Sequence, residues 1–108
     1  METKLINIDG HECEIKILTF EDVGRIQSAG TKLEYVGKTP TPKIDIYQLQ
    51  LTTIMRGLVK IDGQTPELSK IRNMKASTAE AIYNAIDDYN KSPSEQLSDK
   101  EGEEDRSE

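Results

Sequence analysis

Tryptophan is absent from this chain of 108 residues, and cysteine, histidine and phenylalanine occur once each. The lone Cys13 excludes an internal disulfide, and a reducing compartment, the cytoplasm, is the default expectation. With His11 as the single histidine, a structural zinc site lacks its third and fourth thiolate or imidazole ligands. The same pair makes a poor nucleophile and base: both flank a turn, with no third group in view to orient the imidazole. Long apolar runs are also missing. Nothing approaches the ~20 residues needed to cross a bilayer, and the first residues lack the basic, apolar and small-residue order of a secretion signal. The glycines are scattered at turns and helix ends, so no phosphate-cradling loop is present. Glu21 with Asp22 and Asp87 with Asp88 are adjacent acids, but neighbouring positions on a helix point in different directions and do not form a catalytic pair. These absences leave no catalytic, cofactor-binding or metal-binding residues to assign, and the expectation is a protein without enzymatic activity.

Charge is present in quantity but unevenly placed. The net charge is −6. Residues 1–91 carry 13 acidic and 12 basic side chains, whereas residues 92–108 carry 7 and 2, so the tail holds most of the excess. A near-neutral body without a Lys/Arg cluster does not suit the phosphate backbone of a nucleic acid. Residues 92–108 contain one large apolar side chain, Leu97, and cannot offset the entropy of becoming ordered. The expected organisation is one folded domain over 1–91 and a disordered acidic tail over 92–108. A hydrophobic fraction of 34% limits that domain to one modest core.

Within the body, residues 4–8 and 11–17 alternate apolar and polar side chains around Asp9-Gly10, a favoured two-residue hairpin turn. The register sets Ile8 opposite His11, Ile6 opposite Cys13 and Lys4 opposite Ile15. Ile6, Ile8, Cys13, Ile15 and Ile17 then share one face. Thr19 and Asp22 form a capping arrangement for a helix over about 20–29, with Gly30 as its stop. Residues 31–42, rich in glycine, proline and polar side chains, read as a long loop anchored by Leu33, Tyr35 and Val36. Thr41 as cap and Pro42 at the first turn predict a second helix, with Ile44, Tyr47, Leu51, Ile54, Met55 and Leu58 as its apolar stripe. Asp62-Gly63 marks a turn. Thr65-Pro66 opens a short helix containing Leu68 and Ile71, and Ser77 with Glu80 forms a capping box for a last helix bearing Ala79, Ile82, Ile86 and Tyr89. The expected fold is therefore α+β but mainly α: an N-terminal two-stranded β-hairpin packed on about four helices.

With so few large apolar residues, most of the second helix's stripe must be core. A partner surface would draw on the loop anchors and the off-stripe positions: Leu33, Tyr35, Val36, Ile46 and Leu49.

This order of elements resembles the small tail assembly chaperones of tailed bacteriophages. Residues 5–27, LINIDGHECEIKILTFEDVGRIQ, are similar to that family's opening hairpin and first helix. Residues 44–58 resemble its middle helix, and residues 68–89 its closing pair of helices. The resemblance implies a non-catalytic factor of the host cytoplasm that binds the long tape measure protein, with the tail tube protein as a second candidate partner, while the tail is built. A structural tail completion or connector subunit, and an acidic regulator acting by protein binding, are the alternatives.

Overall fold

The N-terminal segment forms the hairpin its alternation predicts. In the computed structural model, which describes residues 2–91, β1 (Thr3–Ile8) and β2 (His11–Lys16) pair antiparallel. Ile8 faces His11, Ile6 faces Cys13 and Lys4 faces Ile15, as expected. Asp9 and Gly10 both take positive φ, 50° and 81°, which the favoured hairpin turns require. The expectation of a disordered acidic tail at 92–108 falls outside the described residues.

Two strands alone are barely stable in water, and here a third completes the sheet. β5 (Leu58–Ile61) pairs antiparallel with β2, giving the order β1-β2-β5 with β2 in the centre. Leu58 therefore belongs to a strand rather than to the stripe of the preceding helix. Four residues are too short to display an alternation against that helical pattern, and the free edge of β2 decides the outcome. Asp62 and Gly63, at φ 51° and 76°, form the turn that follows.

The helices cover one face of this sheet. α1 (Phe20–Ala29) starts at Thr19, whose hydroxyl accepts from the Asp22 amide while the Asp22 carboxylate accepts from the Thr19 amide. α2 (Ile46–Gly57) packs on α1 and on α4 (Ala76–Asn90), and α4 also rests on β1 and β2. The five-residue α3 (Leu68–Arg72) follows β5 and precedes α4 in the chain and packs on α2. Cys13, Ile15, Leu51, Ile54, Leu58, Ile71, Ile82 and Ile86 form the buried cluster. At Gly57 α2 lies close against α4: a Cβ there would lie 2.6 Å from Ile86 Cγ2. Gly30 ends α1 at φ −83°, so its role is proximity and not a left-handed turn; a Cβ would lie 2.7 Å from Leu49 Cδ1.

The region expected to be a long loop is a second hairpin. β3 (Thr31–Val36) and β4 (Thr39–Ile44) pair antiparallel across Gly37-Lys38, with Gly37 at φ 67°. This displaces the start of the second helix. Asp45 is its N-cap, accepting from the Gln48 amide at 3.1 Å, and Thr41, Pro42 and Ile44 belong to β4. Prolines that suit a first helical turn also suit an edge strand at positions where no ladder donor is needed. The two other predicted caps shift as well: α3 begins after Glu67 and α4 after Lys75, neither with a side-chain cap bond. With 47% of the described residues in helix and 32% in strand, the fold is α+β with a sizeable sheet component and not mainly α.

Asp22 ties three elements together from a buried position, 5% exposed. Its carboxylate accepts from Lys16 Nζ at 2.8 Å, from the Thr19 amide at 3.0 Å and from Arg56 Nη1 at 3.2 Å, joining β2, α1 and α2. Burial opposes its ionisation, but the hydrogen bonds from Lys16 and Thr19 and the Lys16 charge outweigh that and hold the carboxyl well below its ordinary value. A depressed folded-state value stabilises the fold above the unfolded carboxylate pKa, and that stability is lost as pH falls through the folded value.

Replacing Asp22 with Asn leaves Lys16 without its ion pair at a largely buried site; urea denaturation at pH 7 should show a loss of about 3 kcal/mol. The variant should also show a flatter decline in stability between about pH 5 and pH 2 than the parent. Gly57→Ala should cost about 1–3 kcal/mol in the same assay, because overpacking against Ile86 outweighs the helix-propensity gain.

Candidate functional site

The ladder between β3 and β4 fixes which side chains share a face. The Asp45 amide donates to the Gly30 carbonyl at 2.7 Å, immediately beyond the Thr31–Ile44 pair. Bonded pairs alternate with non-bonded ones along an antiparallel ladder, so Lys32–Lys43, Glu34–Thr41 and Val36–Thr39 are the bonded pairs. Leu33–Pro42 and Tyr35–Pro40 are the non-bonded ones. Both prolines fall where β4 has no amide to contribute inward.

One face of the hairpin therefore carries Leu33, Tyr35, Pro40, Pro42 and Ile44, and every one of them is exposed. Leu33 is 59% exposed, Tyr35 67% and Ile44 69%. The other face carries Lys32, Glu34, Val36, Thr39, Thr41 and Lys43. Glu34 accepts from Lys43 there at 2.8 Å and lies 4.0 Å from Lys32. The two half-buried residues of the hairpin, Glu34 and Thr41, sit on this polar face. The usual arrangement, apolar side inward, is thus reversed. The hairpin is held at its base by the Asp45–Gly30 backbone bond and by the Thr31 hydroxyl donating to the Gln27 carbonyl at 2.9 Å.

Of the residues expected to meet a partner, Leu33 and Tyr35 lie together on this apolar face. Val36, 72% exposed, is at the far end of β3 on the opposite face. Ile46, 56% exposed, opens α2 directly after β4. Leu49 is only half-buried but packs close to Gly30 and lines a groove with Leu18, Val23, Ile26 and Tyr83, apart from the hairpin face. Pro40, Pro42 and Ile44 were not among the expected partner residues. Their signal was the every-second-residue apolar pattern on both sides of Gly37-Lys38, which the prolines obscure. Tyr47, 55% exposed, and Phe20, 96% exposed at the start of α1, are further large apolar side chains open to solvent.

The His11 and Cys13 region is organised differently. His11 Nδ1 is 2.8 Å from Asp62 Oδ2, and the Glu12 amide donates to Asp62 Oδ1 at 2.9 Å, clipping the β1–β2 hairpin to the turn after β5. Those contacts hold the Asp62 carboxyl below its ordinary value. Cys13 is fully buried, with Sγ directed at the His11 carbonyl, and burial followed by the Asp62 charge pushes its thiol upward. It is a core side chain held as the thiol. Among the described residues, no three His, Cys, Asp or Glu side chains gather as metal ligands would, and no helix is long and apolar enough to cross a membrane.

Comparison with protein-family models, with curated proteins and with solved structures finds no match.

Because the apolar face contacts solvent, replacing Leu33, Tyr35 and Ile44 together with Ser should change the urea midpoint of the core little, by about 0.5 kcal/mol per site or less. The same variant should show reduced binding of a hydrophobic dye. An equal dye signal would mean that the exposed apolar surface lies elsewhere.

Proposed function

We propose that this chain is a non-catalytic binding protein that covers an apolar segment of another polypeptide with the β3–β4 hairpin, acting in tail assembly as a chaperone for the tape measure protein. The observation that carries the binding reading is the reversed hairpin: Leu33, Tyr35 and Ile44, with two prolines between them, form a contiguous apolar face turned to solvent. A small domain that leaves such a face uncovered while its core is short of apolar side chains is built for contact with a partner. Ile46 and Tyr47, at the start of α2, extend the apolar surface next to it in the chain.

The identity of the client rests on the resemblance of residues 5–89 to tail assembly chaperones in the spacing of their elements. The long helices of a tape measure protein expose apolar stripes until the tail tube surrounds them, and an exposed apolar ribbon suits such a stripe. Work in the host cytoplasm, and contact with the tail tube protein during hand-over, follow from the same reading.

Co-expression with the tape measure protein of the same genome tests it. The parent chain should raise the client's soluble fraction severalfold, the Leu33→Ser, Tyr35→Ser, Ile44→Ser variant should not, and finished particles should lack the chain. An unchanged client solubility with the parent chain sinks the chaperone reading, and retention in the particle points instead to a structural tail subunit.

A further inference from the structure

The two edges of the β3–β4 hairpin are not equivalent. Residues in non-bonded pairs direct their amides and carbonyls outward, away from the partner strand. On β4 those residues include Pro40 and Pro42, which have no amide to offer, so this edge is closed to further strand pairing. On β3 they are Thr31, Leu33 and Tyr35, each with a donor and an acceptor facing outward. The hairpin is a two-stranded sheet, so this edge has no neighbouring strand among the described residues.

We propose that the open β3 edge pairs with β3 of a second copy of this chain, antiparallel and centred on Leu33, to make a four-stranded sheet β4-β3-β3-β4 across the dimer. The charge pattern selects this occupant and this register. With Leu33 opposite its own copy, Thr31 faces Tyr35, and both are backbone-bonded pairs. Lys32 then faces Glu34 of the second copy, twice by symmetry, at the close-spaced positions where cross-strand side chains interact most strongly. Centring one residue either way sets Lys32 against Lys32 or Glu34 against Glu34. The ion pairs form on the polar face, and the two apolar faces join into one platform twice as wide. Self-association depends only on this edge and holds whatever client the platform serves.

Sedimentation of the full chain over a range of concentrations should show a reversible shift from monomer to dimer, and in the dimer the Leu33 and Tyr35 amides should become protected from hydrogen exchange. Leu33→Pro removes the central outward donor while leaving the β3–β4 bonds untouched, and should give a monomer. Lys32→Glu and Glu34→Lys should each weaken self-association on the order of tenfold by creating like-charge pairs. An equimolar mixture of the two, one isotope-labelled, should recover mixed dimers at parental strength, because every cross-pair is again of opposite sign. A parent chain that remains monomeric throughout, a dimer indifferent to Leu33→Pro, or a mixture no stronger than either variant alone would each overturn the proposal.

Discussion

The scarcity of large apolar side chains is the constraint from which the rest of this structure follows. A body of this size has one place to concentrate them, and the chain does so where α2 and α4 cross the β1-β2-β5 sheet, around Ile15, Ile54, Ile82 and Ile86. Packing there is close enough that Gly57 has no room for a methyl group beside Ile86. Elements with no share in that cluster must be held by other means. α1 buries Ile26 and is further secured by its capping box and by Asp22, whose contacts with Lys16 and Arg56 add a three-way ion pair. Asn90, at the end of α4, adds a polar tie to the segment that leads into α1, accepting from the Leu18 amide and donating to the Lys16 carbonyl.

The β3–β4 hairpin is the element that this arrangement leaves outside. Its apolar residues would have enlarged a small core, yet they face solvent while Glu34 and Thr41 lie on the more sheltered side. In a folding protein, apolar surface left exposed on an ordered ribbon costs solubility and contributes nothing to stability. The proposed client face and the proposed edge for a second copy would each put that exposed surface to use. The prolines of β4 direct strand pairing to one side only, which is how an exposed ribbon avoids open-ended aggregation.

Local chemistry made the N-terminal half legible. Asp9-Gly10 fixes both the turn and the register of β1 and β2, and Thr19 with Asp22 announces α1, because each signal is complete within a few residues. The burial of Asp22 was not legible, since it depends on Lys16 and Arg56 arriving from other elements. β5 was hidden because Leu58 continues the spacing of the helix before it, and only the free edge of β2 makes it a strand. Residues 31–44 conceal their strands for a related reason. Pro40 and Pro42 signal loop or helix start in isolation, and become strand residues only when a partner strand leaves their positions without a ladder bond. Leu33 and Tyr35 could still be expected at the surface, because a chain so short of large apolar residues fills its one core from the helices, and both are exposed. Leu49 is half-buried beside Gly30, a contact that depends on α1 and is not visible in the spacing of α2.

The separation of hairpin from core is open to a direct measurement, native-state amide hydrogen exchange at low protein concentration. The inward amides of β2, α2 and α4 should exchange only through global unfolding and share its denaturant dependence. Those of Lys32, Glu34 and Val36 should exchange through a local opening that is far more frequent and nearly independent of denaturant. If the β3 amides exchange at the global rate under those conditions, the hairpin is part of the cooperative core, and the account of it as a surface kept apart for binding is wrong.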